Sequence, residues 1–138
     1  MHREFDGIVS SIRSIGNCVL VRCDEYTLPD TEALMYSSYK GSVFCVVDKS
    51  EEKSFFCALT DKNICADRIC DCGLVRIYGI GLVGGDVLCR VLRTLYNWEI
   101  SVLAVFCSEL GIALALPAGT EEKALQALTL LLFLNEMT

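Results

Sequence analysis

The sequence predicts an α+β fold in which one small unit, βαββα, is used twice. Three observations support this prediction. Residues 73–134 read in order as a strand, a glycine-rich turn, a helix, two strands and a final helix. A weaker copy occupies the first half, where residues 19–22 (Val-Leu-Val-Arg) echo residues 73–76 (Gly-Leu-Val-Arg). No stretch rich in proline, glycine or serine separates the halves, so we expect units 1–72 and 73–138 to pack together.

The first unit is predicted from short local patterns. Alternating apolar residues and β-branched runs indicate strands, and a Thr-Leu-Pro-Asp sequence before an apolar stretch is typical of a helix start. Two further echoes link the halves: Ser50-Glu51 with Ser108-Glu109, and residues 57–60 with residues 114–117. The predicted elements are a short helical face at 8–15, a strand at 18–23, a helix at 27–40, a hairpin of strands at 42–47 and 54–59, and a polar connection at 61–72 whose end, 68–72, is a candidate short strand.

The second unit has clearer signals. Apolar residues from Val87 to Trp98 recur at helical spacing, and Asp86 precedes them as a candidate cap. Thr120 is a candidate cap for the last helix, whose leucines extend around most of its surface and therefore need cover. One such unit is a ferredoxin-like antiparallel sheet with helices on one face. The predicted elements are strands at 74–78, 100–106 and 111–116, a turn at 108–109, and helices at 86–98 and 120–134.

Composition excludes several classes of function. The chain has 138 residues, of which 53% are hydrophobic, and a net charge of −6. A net negative charge disfavours binding to nucleic acid or to an anionic membrane surface. The longest apolar run, Leu128–Leu134, is shorter than the roughly 20 residues that a spanning helix needs. The first residues also lack the apolar run of a signal peptide, so we expect a cytoplasmic protein.

Nine cysteines do not read as a disulfide framework or a zinc site. Their number is odd, and Cys45, Cys57, Cys89 and Cys107 fall in apolar periodic segments, where cysteine acts as a small hydrophobic residue. The Cys70-Asp71-Cys72 run lacks the spacing of a zinc clip and reads as an alternating strand. Since His2 is the only histidine, no catalytic triad is available. We therefore predict no metal, no cofactor and no catalytic residue.

The glycine loop leaves two interpretations open. Gly79, Gly81 and Gly84 match the dinucleotide fingerprint, but a hairpin follows where a parallel strand would be required, which disfavours nucleotide binding. The free N–H groups at residues 85–88 suit a small anion or carboxylate, and the alternative is a plain turn that binds nothing. Glu109, in the turn after a strand, either meets an ammonium group or is simply solvated.

Four stretches of the second unit carry a family resemblance: the run 73–81 (Gly-Leu-Val-Arg-Ile-Tyr-Gly-Ile-Gly), residues 99–102 (Glu-Ile-Ser-Val), Ser108-Glu109 and residues 124–128 (Ala-Leu-Gln-Ala-Leu). With these stretches the second unit resembles an ACT domain, and is most similar to the second ACT domain of aspartate kinase regulatory regions. The first unit resembles the first ACT domain more faintly, because it lacks the loop glycines.

This resemblance implies tandem ACT units that form a homodimer and bind an end-product amino acid, typically lysine or threonine. It further implies feedback control of lysine, threonine and methionine biosynthesis, with a kinase catalytic domain or subunit as partner and no catalysis in this chain. The alternative is a dimerisation or docking module without ligand. The effector-binding residues that the resemblance implies are Gly84, Gly85, Asp86, Val87, Ser101, Val102, Ser108 and Glu109, with Asp24, Ser42 and Ser50 as first-unit counterparts.

Overall fold

A computed structural model describes residues 8–24, 33–39, 41–82 and 86–134. They form one mixed α/β body of strands and helices. A 3-10 turn, Lys49–Glu51, precedes the first helix, and a π-helical turn, Leu130–Leu134, continues the last. The elements are β1 Ile8–Asp24, β2 Ala33–Tyr39, β3 Ser42–Asp48, α1 Glu52–Asp61, β4 Ala66–Ile80, α2 Val87–Asn97, β5 Ala104–Ser108, β6 Gly111–Pro117 and α3 Glu121–Thr129.

All the strands belong to one antiparallel sheet of order β2-β3-β1-β4-β6-β5. The long strands β1 and β4 pair with each other along most of their length, and Cys18 lies opposite Cys72 near the middle. The C-terminal part of β1 also pairs with β3, and the C-terminal part of β4 pairs with β6. The two long strands therefore lie in the middle of the sheet, where β1 joins β3 to β4 and β4 joins β1 to β6. We call β1–β3 with α1 the first half, and β4–β6 with α2 and α3 the second half.

The two halves place equivalent residues at equivalent positions. Val21 lies opposite Cys45 in the first half, and Val75 lies opposite Leu114 in the second. All four are fully buried beneath helices. The echo between residues 19–22 and 73–76 thus corresponds to a real equivalence of strands β1 and β4, while the boundary between residues 72 and 73 stays a prediction.

The buried residues form three clusters, and the sheet curls between them. One face of the first half packs on α1, and the corresponding face of the second half packs on α2 and α3. The remaining sheet face carries no described helix, yet Cys18, Leu20, Leu74 and Phe106 are buried there. The edge strands β2 and β5 approach each other, so the curl of the sheet itself covers this face, which we call the central face.

The first-half predictions were wrong at several elements. Residues 54–59 form part of α1, because Phe55 and Leu59 are four residues apart and bury the same helical side. Of the helix predicted at 27–40, residues 33–39 are strand β2, paired with β3, and residues 27–32 and 40 lie outside the described residues. The helical face at 8–15 is strand β1. The candidate strand at 68–72 lies within β4, which begins at Ala66.

The second-half predictions were closer. Strand β6 and helices α2 and α3 fall where the patterns placed them. The strand predicted at 74–78 lies within the longer β4, and β5 begins at Ala104 instead of residue 100. Neither Asp86 nor Thr120 caps its helix through a side chain; the Thr120 hydroxyl donates to the Pro117 carbonyl instead. The expected cover of the last leucines is present in part, since Leu128 and Leu132 are buried and Leu130 is exposed.

All nine cysteines are free thiols. Cys45 is buried as expected, and Cys70 and Cys72 lie in strand β4. Cys57, Cys89 and Cys107 are exposed, although they also fall in apolar periodic segments. Among the described residues, no helix is both long enough and apolar enough to cross a membrane.

Candidate functional site

The predicted ligand-binding residues lie at several separate places. Gly84 and Gly85 are outside the described residues. In each half, the other predicted residues lie at opposite ends of the strands, some beyond one end and some beyond the other. Because β5 runs from Ala104 to Ser108, about 13 Å separates its ends, and residues beyond opposite ends cannot touch one small ligand directly.

The start of α2 presents one predicted residue to solvent and buries the other. Val87 is fully buried in the helix-side core, so only its backbone is available to a ligand. Asp86 is exposed, and its carboxylate accepts a 2.8 Å hydrogen bond from Arg90 Nε. The dipole of α2 favours an anion at this terminus, although the Asp86 carboxylate opposes one.

The turn between β5 and β6 lies at the same end of the sheet as the glycine loop. The Gly79 N–H donates to the Leu110 carbonyl at 2.8 Å, which ties this turn to the end of β4. Ser108 Oγ accepts a hydrogen bond from the Leu110 N–H, and Glu109 is exposed. Ser108 also borders an open cavity of about 160 Å³. Its lining residues are Arg76, Ile77, Tyr78, Ser108, Leu110, Gly111, Ile112 and Ala113.

This cavity and the start of α2 belong to different faces of the sheet. Ala113, in the cavity wall, contributes to the central face, whereas Val87 packs in the helix-side cluster. Ser108 therefore does not share a pocket with the N-terminus of α2 in this arrangement.

Ser101 and Val102 lie at the opposite end of β5. The Leu103 N–H donates to the Ala115 carbonyl, which places the preceding residues beside the far end of β6. Ser101 borders an open cleft with Tyr96, Asn97, Glu99 and Ile100, while Val102 packs against the helix-side core. The structure thus separates Ser101 and Val102 from Ser108 and Glu109.

In the first half, Asp24 and Ser42 come together and Ser50 does not. Asp24 lies opposite Ser42, and both contact Arg22: Nη1 is 3.8 Å from Asp24 Oδ1 and donates to Ser42 Oγ at 3.1 Å. Arg22 Nη2 also donates to Asp67 Oδ2 at 2.7 Å. Ser50 follows the other end of β3, where its N–H and hydroxyl donate to Asp48.

Two of the sequence echoes were out of register. Ser108-Glu109 joins β5 to β6, whereas Ser50-Glu51 follows β3, so Ser50 is equivalent to a position just before α3. Residues 57–60 are in helix α1, whereas residues 114–117 are in strand β6. Only the β1–β4 echo marks equivalent structure.

Sequence reasoning missed the arginines of these clusters. Arg22 and Arg76 occupy the same place in the Val-Arg echo, and the structure puts each at the end of the sheet. The signal was therefore present in the repeat, although the polar partners from other strands were not visible in it.

Electrostatics gives no support for catalysis by a thiol at the sheet centre. Burial raises the pKa of Cys18 to about 11 and that of Cys72 to about 12, so both are protonated at neutral pH. Hydrogen bonds from Ser50 lower the pKa of Asp48 below its usual value. Among the residues that the structure describes, no cluster of His, Cys, Asp and Glu is arranged to hold a metal.

Comparison with known proteins gives matches in structure only. No family model matches the chain, and no curated protein sequence matches it. The regulatory subunit of aspartate kinase from Thermus flavus superimposes with a TM-score of 0.66 at 17% identity, covering 86% of this chain and 95% of that subunit. A putative C-terminal regulatory domain of aspartate kinase from Porphyromonas gingivalis gives 0.60 at 15% identity, covering 93% and 99%.

A whole enzyme shows the same relationship. The aspartate kinase of Clostridium acetobutylicum superimposes with a TM-score of 0.69 at 14% identity, covering 93% of this chain and 35% of that enzyme. The chain therefore has the fold of the regulatory subunits and C-terminal regulatory regions of aspartate kinases. The ACT-type resemblance seen in the sequence is confirmed at the level of fold.

Proposed function

We propose that this chain is a regulatory module that binds an amino acid and controls an aspartate kinase without catalysing the reaction itself. The observation that carries the proposal is the near-complete overlap with a separate regulatory subunit, which covers 95% of that protein. The match thus includes nearly all of that subunit's fold and 86% of this chain. In this proposal the module consists of two ferredoxin-like units, 1–72 and 73–138.

The proposed effector is lysine or threonine, held at the start of α2. The α-carboxylate would accept hydrogen bonds from the N–H groups around residues 85–88, where a helix start favours an anion. Glu109 is the better candidate for the ammonium group, because Asp86 already pairs with Arg90. Glu109 is exposed and makes no ion pair with the described residues. The remaining predicted residues, Ser101, Val102, Asp24, Ser42 and Ser50, are too dispersed for the same ligand in one copy of the chain.

Regulation in this proposal works through linkage. An effector that binds one arrangement of the module and its kinase partner more tightly favours that arrangement, typically by about 1–3 kcal/mol. A homodimer, in which two copies bring further predicted residues to a shared effector, is part of the proposal. Feedback on lysine, threonine and methionine biosynthesis in the cytoplasm would be the biological result.

The test is a thermal-shift screen of the purified chain against the twenty amino acids. We expect lysine or threonine to raise the melting temperature in a saturable way, and Glu109→Gln to reduce that rise. Asp61→Asn, which removes an exposed carboxylate at the end of α1, is the control. No response to any amino acid from a folded dimer would favour the docking module. Phosphorylation of aspartate by the chain alone would contradict the regulatory proposal.

A further inference from the structure

The two long strands leave two matching stretches of free sheet edge. Strand β1 pairs with β3 only from Cys18 onward, so on that side residues 8–15 are paired with no described strand. Strand β4 pairs with β6 only from Cys72 onward, and residues 66–71 are unpaired on that side in the same way. We call these two stretches the β1 edge (residues 8–15) and the β4 edge (residues 66–71). They differ from the outermost strands β2 and β5, which approach each other across the curl of the sheet.

The β4 edge is protected by charged side chains. Three of its six residues are charged, namely Asp67, Arg68 and Asp71. Arg68 Nε donates to Glu52 of α1 at 2.7 Å and Arg68 also pairs with Asp71, while Asp67 accepts a 2.7 Å hydrogen bond from Arg22. A strand added at this edge would crowd and bury these charges, and charged side chains are a common means of preventing such pairing.

The β1 edge lacks this protection. Arg13 is the single charged residue among its eight residues. The Ser10 hydroxyl donates to a backbone carbonyl of β4 at 3.1 Å, and the Ser14 hydroxyl donates to Glu122 at 2.6 Å, so both serines have partners within the chain. The backbone N–H and C=O groups of this edge that point away from β4 can therefore pair with an added strand without burying a network of charges.

Like charges decide which register a second copy of this edge can adopt. A two-fold axis perpendicular to the sheet keeps the helices of both copies on one face, and directly opposite residues then point to the same side. An axis at Arg13 would set two arginines against each other, and an axis at Ser14 would bring two Glu122 carboxylates together, since Ser14 holds Glu122. An axis at Ile12 places Arg13 opposite Ser11 of the second copy, which avoids both repulsions.

We propose that the β1 edge joins two copies of this chain through an antiparallel pair of β1 strands centred on Ile12. Ile12 packs against the helix-side core, and in the pair it meets Ile12 of the second copy on that face. Helix α3 packs on β1, so the two α3 helices lie on the same side of the joined sheet, where Leu130 is 45% exposed in the single chain. The interface specifies the homodimer of the proposed function, but it requires no effector.

The test is sedimentation equilibrium of the full chain without any amino acid, in which we expect a reversible dimer. Ser11→Lys should raise the dissociation constant of the dimer at least about tenfold, because the added ammonium group faces Arg13 of the second copy and the contact occurs twice. Ser11→Glu should lower that constant about two- to fivefold, because a carboxylate then faces the same arginine. Ile69→Lys is the matched control, since it adds a lysine at an exposed position of the β4 edge, and it should leave the constant unchanged.

Amide hydrogen exchange of the wild type gives a second measurement that needs no variant. Exchange at residues 8–15 should slow as protein concentration rises through the dissociation constant, while exchange at residues 66–71 should not change. A wild type that stays monomeric at every concentration would overturn the proposal. Equal dissociation constants for Ser11→Lys and the wild type would do so too, as would a dimer in which residues 8–15 exchange as fast as in the monomer.

The same variant separates this interface from the proposed amino-acid site. If Ser11→Lys is folded and monomeric and still responds to lysine or threonine, the β1 interface is supported and the shared-effector dimer is removed from the proposed function. If the wild type forms this dimer and responds to no amino acid, the interface stands and the effector proposal fails. If Ser11→Lys does not fold, the hydrogen-exchange comparison decides by itself.

Discussion

The first and second halves share their strands and differ in what covers them. Equivalent strand residues are buried in both, yet α1 is the only described helix on the first half, whereas α2 and α3 cover the second. Residues 81–103 join β4 to β5 and include α2. Among the described residues, the two halves thus share their strand arrangement and differ by one helix.

The largest expected effect comes from truncating the matched helix leucines. Leu59 on α1 and Leu128 on α3 are both buried against their half of the sheet. Each change to alanine should cost about 2–5 kcal/mol, with Leu128→Ala nearer the upper end because α2 also packs on α3. Urea unfolding followed by circular dichroism measures both. Equal costs would show that the extra helix adds little to this part of the core.

The next effect concerns Gly111 and its first-half equivalent, Ser42. A Cβ built on Gly111 would collide with the carbonyl oxygen of Ile77, so Gly111→Ala should destabilise by about 1–3 kcal/mol. The first half accommodates a side chain at this place, and Ser42→Ala should cost less than about 1 kcal/mol, since its partner Arg22 retains Asp67. Thermal unfolding of both variants makes the comparison. A stable Gly111→Ala would mean that β4 and β6 are farther apart than described.

The smallest effect is a pH dependence that arises from Asp48 in the first half. Hydrogen bonds from Ser50 lower the pKa of Asp48, so the folded state favours the ionised carboxylate. That stabilisation is present above the unfolded pKa of about 4 and is lost as pH falls through the folded value. Asp48→Asn should therefore flatten the loss of stability on acidification below about pH 4. Pro117 holds the equivalent position in the second half, where no such titration exists. An unchanged acid profile would contradict the role of Asp48.

The sequence predicted the second half better because its helices and its strands have clearly different spacings of apolar residues. The spacing of apolar residues from Val87 to Leu95 fits only a helix, and β6 is a continuous run of buried residues between Gly111 and Pro117. In the first half, residues 54–59 are apolar enough for a strand, and only the four-residue spacing of Phe55 and Leu59 marks the helix. The strand at 33–39 is defined by its pairing with β3, which a local pattern does not contain.

The sequence predicted the parts of the candidate site that lie in one continuous stretch of chain, and not the contacts between different strands. The glycine loop, Asp86 and the Ser108-Glu109 turn were found from local motifs, and the fold brings the described parts of them to one end of the sheet. The pairing of Arg76 with Arg13, by contrast, depends on a register between β1 and β4 with three irregularities. Arg13 and Arg76 are 63 positions apart in the sequence. A single sequence gives no signal for such a pair unless the register of the strands is known.

The central claim is that the end of the sheet at the start of α2 binds an amino acid. The most direct measurement is a titration of the ¹⁵N-labelled chain with lysine and with threonine, followed by NMR. The account predicts saturable chemical-shift changes centred on the amides of residues 85–88 and 109. The changes in α1, which belongs to the first half, should be smaller. Saturation with shifts confined to the first half would contradict it, as would the absence of any shift with all twenty amino acids.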